Sequence, residues 1–561
     1  MNNEFQNPNY EKLTKNPLED DLKSFSKLIL TMKPFISDKE FYKMKAKQSI
    51  KKCYGIIKWK KDRPLRPIVS SINSITIGAE SYILEILKKF ESQFMFSVNS
   101  SKSFKDWFIK HSPSFNDNNY EIISMDIVKL YPNIDTNLTA EFIIKKIYEN
   151  PLNYFPEKKD EQGNNIFPPK SIFENFLDKI LHEFTAFECL SGFFRQKKGA
   201  NMGGKISPIL ANIYLNIFEA EIIPNWIENK KIKGFVRYVD DCFICIKKTE
   251  KINFFNQMNN LHQNLKYTVD SSKNGELVFL DMTIFFDEKY HIKHYKKPSA
   301  SKVLTNFKSE TPKKYKISSL MGSIYRVNDT TSNENELENG LKDLKMNFIN
   351  NGYPINLVNE KVTEIKNRDF KPKERKIDWK KEIRENPDRN FTFNIDFTAT
   401  RCQKIERKFR KLIKSKTPNF NISFAWKTVK LARYLTPKTK PATDKLQVAG
   451  SNYNFICFCE DTYIGESKRP LIERIKEHQR PSYNTAICKH ISECPLYLEE
   501  LKKKYGTIPN RNTVEFLSER FEILHKNLYF DEDRKIMEAL LICFRKPTLN
   551  AQVKHKYVSL I

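Results

Sequence analysis

Three aspartates have the spacing of a metal-dependent site for phosphate chemistry. Asp126 lies near the end of an apolar segment, whereas Asp240 and Asp241 occupy the turn between two further apolar segments. Carboxylates on neighbouring strands are suited to hold two divalent ions such as Mg²⁺ about 4 Å apart, which activates an attacking hydroxyl and stabilises a leaving phosphate. An Asp-Asp pair in a turn also has a simpler interpretation as turn chemistry. The metal hypothesis therefore depends on what surrounds the pair.

The elements that must position these aspartates are predicted to be strands. Residues 120–133 (YEIISMDIVKLYPN) predict a buried strand that ends at a Pro-Asn turn. Residues 234–247 (GFVRYVDDCFICIK) predict a hairpin with acidic residues in its turn, and GELVFLDMTIF at 275–285 follows the same pattern. Helical periodicity occurs in the first forty residues and near 171–186. Residues 330–450 are charged, helix-prone and punctuated by prolines, which indicates a helical subdomain and a basic connector.

The composition favours a polyanionic partner. The 561 residues include 96 Lys and Arg against 68 Asp and Glu, a formal net charge of +28, which fits nucleic acid first and an anionic membrane second. The codon bias of an AT-rich genome would also enrich lysine, so the charge alone does not decide. No apolar run reaches the ~18 residues of a membrane-spanning helix, and the first twenty residues lack a signal-peptide core, so no membrane partner is expected. Ten cysteines without such a signal indicate thiols that are free or bound to metal.

The residues around the aspartates resemble the motifs of reverse transcriptases. Tyr238-Val239-Asp240-Asp241 is similar to the catalytic YVDD motif, and MDIVKLYPNI resembles the strand that carries the third aspartate. The resemblance implies an RNA-directed DNA polymerase with two Mg²⁺ ions and dNTP substrates. The implied dNTP contacts are Tyr131 as the aromatic gate against a ribose 2′-hydroxyl, Gly203 in GANMGGKISPILANIYL (199–215) beside the incoming base pair, Arg66 in PLRPIVS (64–70) at the triphosphate, and Lys58 and Lys60 as weaker candidates for the same task.

Further segments narrow the resemblance to Penelope-like retroelement polymerases, which are relatives of telomerase. These segments are YGIIKWKKDRPLRPIVSS, FLDMTIF, YKKPSASKVLTNFKSETPKKYK (295–316) and NGYP (351–354), and they follow the family order over most of the chain. The implied fold is α+β, with a right-hand polymerase of fingers, palm and helical thumb followed by a small α/β nuclease domain. The expected domains are an N-terminal helical segment at 1–44, fingers and palm at 45–330, a thumb at 331–434, a basic linker at 435–450 and the nuclease at 451–561.

The C-terminal residues resemble the GIY-YIG nuclease family. Tyr453 matches the tyrosine of the first motif and Tyr463 that of the second. The resemblance implies that Arg474 neutralises developing charge on phosphate, that Glu538 holds one Mg²⁺ and that Asn550 lies near the domain end. His478, one turn after Arg474, shares its helix face and is a candidate for proton transfer. The first motif departs from the family pattern, because Asn452 stands where the family has glycine or valine.

Cysteines between the two tyrosine motifs indicate a second type of metal site. The family resemblance implies a zinc-binding Cys-Cys-His-His cluster at Cys457 and Cys459, with His478 and His490 as partners. Cys488 and Cys494 are alternatives for the last two positions. Tetrahedral Zn²⁺ requires four such ligands, whereas the simpler interpretation is two small apolar side chains in a core strand.

These resemblances together predict a retrotransposon protein that nicks DNA and extends the exposed 3′-hydroxyl by target-primed reverse transcription. Its expected partners are its own element RNA, the target DNA and the RNA–DNA hybrid, and its expected location is the nucleus after translation in the cytoplasm. The alternatives are a group II intron maturase or other non-mobile reverse transcriptase, a domesticated nucleic-acid-binding protein without an active nuclease, and a repair nuclease with an accessory domain. The HNH-type nuclease typical of maturases is not found in the sequence.

Overall fold

The structure is a computed structural model that describes residues 5, 8–45, 49–57, 65–272, 274–298, 301–366, 390–396, 401–416, 421–427, 445–507, 514–526, 528 and 531–550. Within this part of the chain, no helix is both long and apolar enough to cross a membrane. The strands are β1 (Tyr10–Leu13), β2 (Lys51–Ile57), β3 (Leu65–Ser70), β4 (Tyr120–Ile127), β5 (Ala186–Cys189), β6 (Gly192–Gln196), β7 (Ile232–Tyr238), β8 (Asp241–Lys247), β9 (Tyr267–Ser271), β10 (Glu276–Phe279), β11 (Met282–Asp287), β12 (Lys289–His294), β13 (Asn390–Asp396), β14 (Asn421–Lys427), β15 (Ser451–Ile456), β16 (Thr462–Ser467) and β17 (Phe521–His525).

The helices alternate with these strands, so the protein is of mixed α/β class. They are α1 (Leu18–Met32), α2 (Asp38–Lys45), α3 (Ile77–Leu87), α4 (Ser101–His111), α5 (Leu130–Asn133), α6 (Thr136–Glu149), α7 (Lys170–Asp178), α8 (Ser207–Glu228), α9 (Lys251–Asn260), α10 (Lys313–Asp329), α11 (Glu334–Asn350), α12 (Ile355–Lys366), α13 (Arg401–Lys416), α14 (Leu471–Gln479), α15 (Ala486–Glu493), α16 (Pro495–Tyr505), α17 (Val514–Glu519) and α18 (Asp531–Arg545).

The chain divides into two compact units. One unit comprises residues 90–133 and 211–438, and the other comprises residues 1–89, 134–210 and 439–561. Each unit is made of residue ranges that are separate in the sequence, whereas each predicted domain is one continuous range. The predicted domain boundaries therefore stay predictions.

The first unit is built on a four-stranded antiparallel sheet in the order β7-β8-β4-β9. Apolar residues of β4 and β8, among them Ile122 and Phe243, pack in one core with Phe104 and Phe108 of α4. The predicted hairpin at 234–247 is confirmed as β7 and β8. The predicted strand at 120–133 is confirmed only to Ile127, because Leu130–Asn133 forms the short helix α5. The segment 275–285 is the hairpin β10–β11, with Leu280 and Asp281 in its turn.

Three helices of the same unit share a separate core. Leu320 and Ile324 of α10, Leu344 of α11, and Val358 and Val362 of α12 pack together in it. The predicted palm–thumb boundary at 330/331 falls between α10 and α11, inside this three-helix cluster. A parallel pair of strands, β13 and β14, follows on either side of α13.

The second unit holds two sheets. One is five-stranded in the order β1-β6-β5-β2-β3, and the other is three-stranded in the order β16-β15-β17. The predicted N-terminal helix is confirmed as α1, which buries Phe25, Leu28 and Ile29. The three-stranded sheet shares its core with apolar residues of α14 to α17, including Leu471, Ile491, Leu501 and Phe516.

Candidate catalytic sites

Strand register brings the three predicted aspartates together. Asp126 on β4 is directly opposite Asp241 on β8, and the Ile127 amide donates to the Asp240 carbonyl at 3.1 Å. One carboxylate oxygen from each aspartate lies within 4.8 Å of the others. These oxygens can hold divalent cations of the type that phosphoryl transfer requires.

Burial and neighbouring carboxylates perturb the ionisation of Asp241. Burial and then the neighbouring charges of Asp240 and Asp126 raise the pKa of Asp241 to about 6, against an opposing effect from Lys297. Like charges held close together make ionisation unfavourable, and a bound cation removes that penalty. The electrostatics therefore favour occupation by metal at neutral pH.

A buried arginine lies behind the acidic turn. Arg237 on β7 is fully buried and forms a bidentate ion pair with Glu219 of α8, through its Nε and Nη2. Its Nη1 also donates to the Asn212 side chain at 2.9 Å and to the Val239 carbonyl at 3.0 Å. Val239 itself has a φ of +56°, which is unfavourable for a β-branched residue.

The sequence prediction did not include Arg237, Glu219 or Asn212. A signal for them was present, since Arg237 interrupts the otherwise apolar strand GFVRY and Glu219 interrupts an apolar stretch of α8. A charged residue in a buried segment requires a partner. The sequence does not reveal that these two residues are each other's partners.

The predicted dNTP contacts lie in different parts of the chain. Tyr131 is half-buried in α5 and shares a compact unit with the aspartates. Arg66 is exposed on β3 in the other unit, which also holds Gly203. Lys58 and Lys60 lie outside the described residues. None of these roles is tested by the geometry.

Gly203 has a local structural reason to be glycine. Its φ is +103°, and an added Cβ would lie 2.7 Å from the Ile68 side chain and 3.0 Å from the Val69 carbonyl oxygen. The adjacent Met202 carbonyl accepts a hydrogen bond from the Val69 amide at 2.8 Å. Close contact with β3 therefore accounts for glycine at this position, beside the predicted role at an incoming base pair.

The predicted nuclease residues converge on the three-stranded sheet. Tyr453 of β15 is completely buried, and its hydroxyl lies 2.8 Å from His478 Nε2 and accepts a hydrogen bond from Arg474 Nε at 3.2 Å. Gly465 is opposite Tyr453 in the strand pair, where an added Cβ would lie 2.6 Å from the tyrosine Cζ. The YIG glycine thus makes room for the tyrosine ring of the first motif.

Two carboxylates act on this cluster: Glu477 of α14 pairs with Arg474 at 2.8 Å, and Glu538 of α18 interacts with it electrostatically. Burial and the charge of Glu466 raise the pKa of Glu538 to about 7, while Arg474 opposes the shift. Burial and the charge of Glu538 also raise the pKa of Tyr463. Arg474 opposes the rise of both pKa values, so Glu538, Tyr463 and Arg474 interact electrostatically.

Asn550 acts on the strand that carries Tyr463. Its side-chain oxygen accepts from the Ile464 amide at 2.9 Å, and its Nδ2 donates to the Ile464 carbonyl at 2.8 Å. The asparagine thus satisfies both backbone groups of one residue on β16. This arrangement fastens the end of the domain to the YIG strand.

The departure at Asn452 is accommodated by a buried polar network. Its side-chain amide donates to the Arg534 carbonyl at 3.0 Å. Arg534 is nearly fully buried and pairs with Glu466 at 2.6 Å and Asp531 at 2.6 Å. This network links β15 to α18, the helix that carries Glu538, while the pairing of β15 with β17 shifts register between Asn452 and Tyr453 and the buried Asn452 Oδ1 accepts no hydrogen bond from the described residues.

A cysteine-rich cluster lies beside this sheet. Potential ligand atoms of Cys457, Cys459, His490 and Cys494 all lie within 4.8 Å of one another, with Cys457 and Cys494 sulfurs 3.8 Å apart and Cys459 sulfur 3.3 Å from His490 Nε2. Three thiols and one imidazole fit the tetrahedral preference of Zn²⁺.

His478 is not in this cluster, contrary to one of its two predicted roles. Its Nε2 faces Tyr453, and its Nδ1 lies 3.0 Å from the Thr485 hydroxyl. Burial and the charge of Arg474 lower the pKa of His478 to about 3, so the imidazole is neutral. The cluster instead contains Cys494, one of the two alternatives, because α15 and the turn after it bring His490 and Cys494 to the end of β15.

Comparisons with known proteins identify the polymerase segment. Residues 156–276 match the family described as reverse transcriptase (RNA-dependent DNA polymerase), and residues 303–363 match the animal helix-turn-helix domain. No curated protein matches the chain. The chain contains a reverse transcriptase domain, with Asp240 and Asp241 inside the matched segment and Asp126 upstream of it.

Solved structures with similarity to the chain include nucleic-acid polymerases. Apo telomerase from Candida tropicalis is 12% identical with a TM-score of 0.33, over 56% of this chain and 60% of that one. Candida albicans telomerase with a fragment of telomeric RNA is 13% identical with a TM-score of 0.38, over 63% of this chain and 66% of that one. The Sicinivirus RNA-dependent RNA polymerase is 12% identical with a TM-score of 0.35, over 58% of this chain and 71% of that one. The chain thus spans less than two thirds of either telomerase chain. Because these TM-scores lie below 0.5, the assignment rests on the matched segment and on the aspartate geometry.

Proposed function

We propose that the protein is a retrotransposon enzyme of the Penelope-like type that joins an RNA-directed DNA polymerase to a DNA-nicking endonuclease. The observation that carries the polymerase assignment is the cluster of Asp126, Asp240 and Asp241 on paired strands, two of them inside the reverse transcriptase match. In the polymerase reaction, Mg²⁺ held by these carboxylates would activate the primer 3′-hydroxyl and stabilise the leaving pyrophosphate. The protein's own contribution is to orient the three carboxylates.

The nuclease proposal is supported by the cluster around Tyr453. Arg474 would neutralise charge on a phosphate, and Glu538 would hold one Mg²⁺. His478 is neutral and in hydrogen-bonding distance of Tyr453, so it can exchange a proton with that hydroxyl. Tyr463, the fifth residue of the cluster, would orient the attacking water or phosphate.

The cysteine cluster supports a structural zinc site in the nuclease. Cys457, Cys459, His490 and Cys494 would hold Zn²⁺ in a closed set of four protein ligands. Such a site would link the end of β15 to α15 and so stabilise the sheet that carries Tyr453.

The helical part of the first unit supports binding to an RNA–DNA hybrid. Glu406 is the only acid in α13, and it is used by Arg410 at 2.7 Å and by the Trp426 indole at 3.0 Å. Arg407, Lys408 and Lys411 are exposed on the same helix. With the three-helix cluster α10–α12, this helix would form a thumb that contacts phosphates without reading sequence.

The two activities together favour target-primed reverse transcription in the nucleus, with the protein's own element RNA as template and genomic DNA as target. The competing function is a domesticated or non-mobile reverse transcriptase, or a nucleic-acid-binding protein, without an active nuclease. The presence of Arg474, Glu538 and both tyrosines in one cluster favours the former.

The test supplies purified full-length protein with its element RNA and a supercoiled plasmid, followed by sequencing of any cDNA–plasmid junctions. We expect nicked plasmid without RNA and cDNA joined to the nick with RNA. Extension of a supplied primer without plasmid nicking would support the non-mobile alternative. Absence of extension on any RNA template would refute the polymerase proposal.

A further inference from the structure

The hairpin that carries Asp240 and Asp241 contains a buried arginine, Arg237, which is not itself a metal ligand. Arg237 is fully buried and Glu219 nearly so. Burying an ion pair has a large desolvation cost, and a single-point contact does not offset it. Here Arg237 makes two bonds to Glu219 and further bonds to Asn212 and Val239. The guanidinium is therefore fixed from several directions.

The backbone of Arg237 is fixed as well. Its amide donates to the Phe96 carbonyl at 2.7 Å, and its carbonyl accepts from the Val98 amide at 2.9 Å. Together with β8, these bonds hold both edges of β7 at this residue. The backbone of Arg237 is thus held in place, and its side chain hydrogen-bonds to Val239 in the turn two residues later.

The bond from Arg237 to Val239 acts on the most strained part of the turn. Val239 precedes Asp240 and has a left-handed φ of +56°, a conformation that favours glycine and disfavours β-branched side chains. The guanidinium holds the Val239 carbonyl at 3.0 Å. On the other side, the Asp240 carbonyl accepts from Ile127 at 3.1 Å. The turn is therefore held from both directions.

We propose that Arg237 is a positioning residue for the metal-binding aspartates, with Glu219 and Asn212 of α8 holding the guanidinium in place. This inference rests on the proposed polymerase function. Arg237 contacts neither metal nor nucleic acid on this view; it fixes the peptide that directs Asp240 and Asp241. A lysine would keep the positive charge but could not serve Glu219, Asn212 and the Val239 carbonyl at once.

Metal binding distinguishes positioning from a purely structural role. The probe is Mn²⁺ alone, titrated into the full-length protein and followed by electron paramagnetic resonance, with D240N/D241N defining the signal of this site. We expect R237K to weaken Mn²⁺ binding by about 10-fold and to lower the rate of primer extension by about 10- to 100-fold, as misplacement of catalytic groups does. The matched control is R195K, at an arginine that pairs with Asp21 in the other unit, and it should bind Mn²⁺ as the wild type does.

A rescue variant tests the role of the strained turn directly. Glycine adopts a positive φ without strain, so R237K/V239G should regain most of the Mn²⁺ affinity that R237K loses. Wild-type Mn²⁺ affinity in folded R237K would overturn the proposal, as would an affinity in the double variant no better than in R237K.

If R237K does not fold, Mn²⁺ binding by the milder variant N212A tests the proposal instead. This variant leaves the ion pair intact and should weaken Mn²⁺ binding by about 2- to 5-fold, in line with the loss of one hydrogen bond; unchanged binding would overturn the proposal. The proposed function fails separately, if the wild-type protein binds Mn²⁺ at these aspartates but does not copy RNA.

Discussion

The polymerase cluster and the proposed nuclease cluster both contain a carboxyl group with a raised pKa, but the charges around that group differ. The pKa of Asp241 is raised to about 6 by burial and by two other aspartates. The pKa of Glu538 is raised to about 7 by burial and by Glu466, but the guanidinium of Arg474 opposes the shift. Each carboxyl group thus has a protein cation that opposes the rise of its pKa, Lys297 for Asp241 and Arg474 for Glu538, but Arg474 is also paired with Glu477 at 2.8 Å.

The two clusters also differ in how the chain assembles them. Asp126, Asp240 and Asp241 come from adjacent strands of one sheet, and pairing register alone makes them neighbours. Tyr453, Arg474 and Glu538 come from a strand and two helices, α14 and α18. Small changes in how helices pack on the sheet would therefore alter the geometry of the proposed nuclease cluster more than that of the polymerase cluster. Four predictions test this comparison.

The largest expected effect separates the two activities. D241A should reduce RNA-templated DNA synthesis by about 10³-fold or more, because a metal ligand is lost, and should leave plasmid nicking intact. E538A should do the reverse. Primer extension and nicking are measured on the same preparations. Parallel loss of both activities in either variant would mean that the two clusters are not independent sites.

Loss of zinc should destabilise only the proposed nuclease domain. We expect about one zinc ion per chain, and C494S should lose it. Because metal binding contributes to folding, the loss should lower the melting temperature of the C-terminal transition. The matched control is C488S, a buried cysteine of the same helix region that lies outside the cluster. Metal analysis and calorimetry make the measurement. Equal zinc content in the two variants would contradict the ligand set.

Charge on α13 should contribute to polymerase binding without sequence selectivity. R407Q/K408Q/K411Q should reduce the slope of log affinity against log salt for an RNA–DNA hybrid by about 2 to 3, the value for loss of three phosphate contacts. The control is K23Q/K27Q/K39Q, which removes the same charge from exposed positions of α1 and α2. An equal change of slope in both variants would indicate a general charge effect instead of a contact surface.

The smallest expected effect is a difference in pH dependence. Protons compete with metal once the pH falls below the pKa of the ligand, so the Mg²⁺ requirement should rise about 10-fold per pH unit below about 7 for nicking and below about 6 for polymerisation. Both pKa values are raised by folding, so without metal the folded state loses stability as the pH rises through them. Stabilisation by Mg²⁺ should therefore increase with pH. Identical Mg²⁺ profiles for the two activities would contradict the assignment of separate carboxylates.

Local pattern was sufficient for the parts of the fold that follow from periodicity and turn chemistry. The hairpin at 234–247 follows from two apolar segments on either side of a turn, and helix α1 follows from apolar residues that repeat at the spacing of one buried helix face. The end of β4 was predicted too late, because Lys129 adopts a positive φ and begins the turn into α5. A backbone reversal of this kind has no clear signal in residue type.

The candidate sites show the same division. Sequence motifs were enough to select Asp126, Asp240, Asp241, Tyr453 and Glu538, since each chemistry requires those residue types. They did not select between His478 and Cys494 for the cysteine cluster, because that choice depends on how α14 and α15 pack against β15. Ligand sets drawn from several elements are decided by packing.

The sequence by itself therefore determined which residue types are available for the proposed chemistry: carboxylates for divalent cations, two tyrosines with an arginine and a glutamate for phosphate, and thiols for a softer metal. Only the tertiary structure decided which groups are near enough to act together. The pairing of Arg237 with Glu219, and that of Arg534 with Glu466, could not be predicted, because a buried charge shows that it needs a partner but not which one. Long-range packing selects that partner, and with it the position of each active carboxylate.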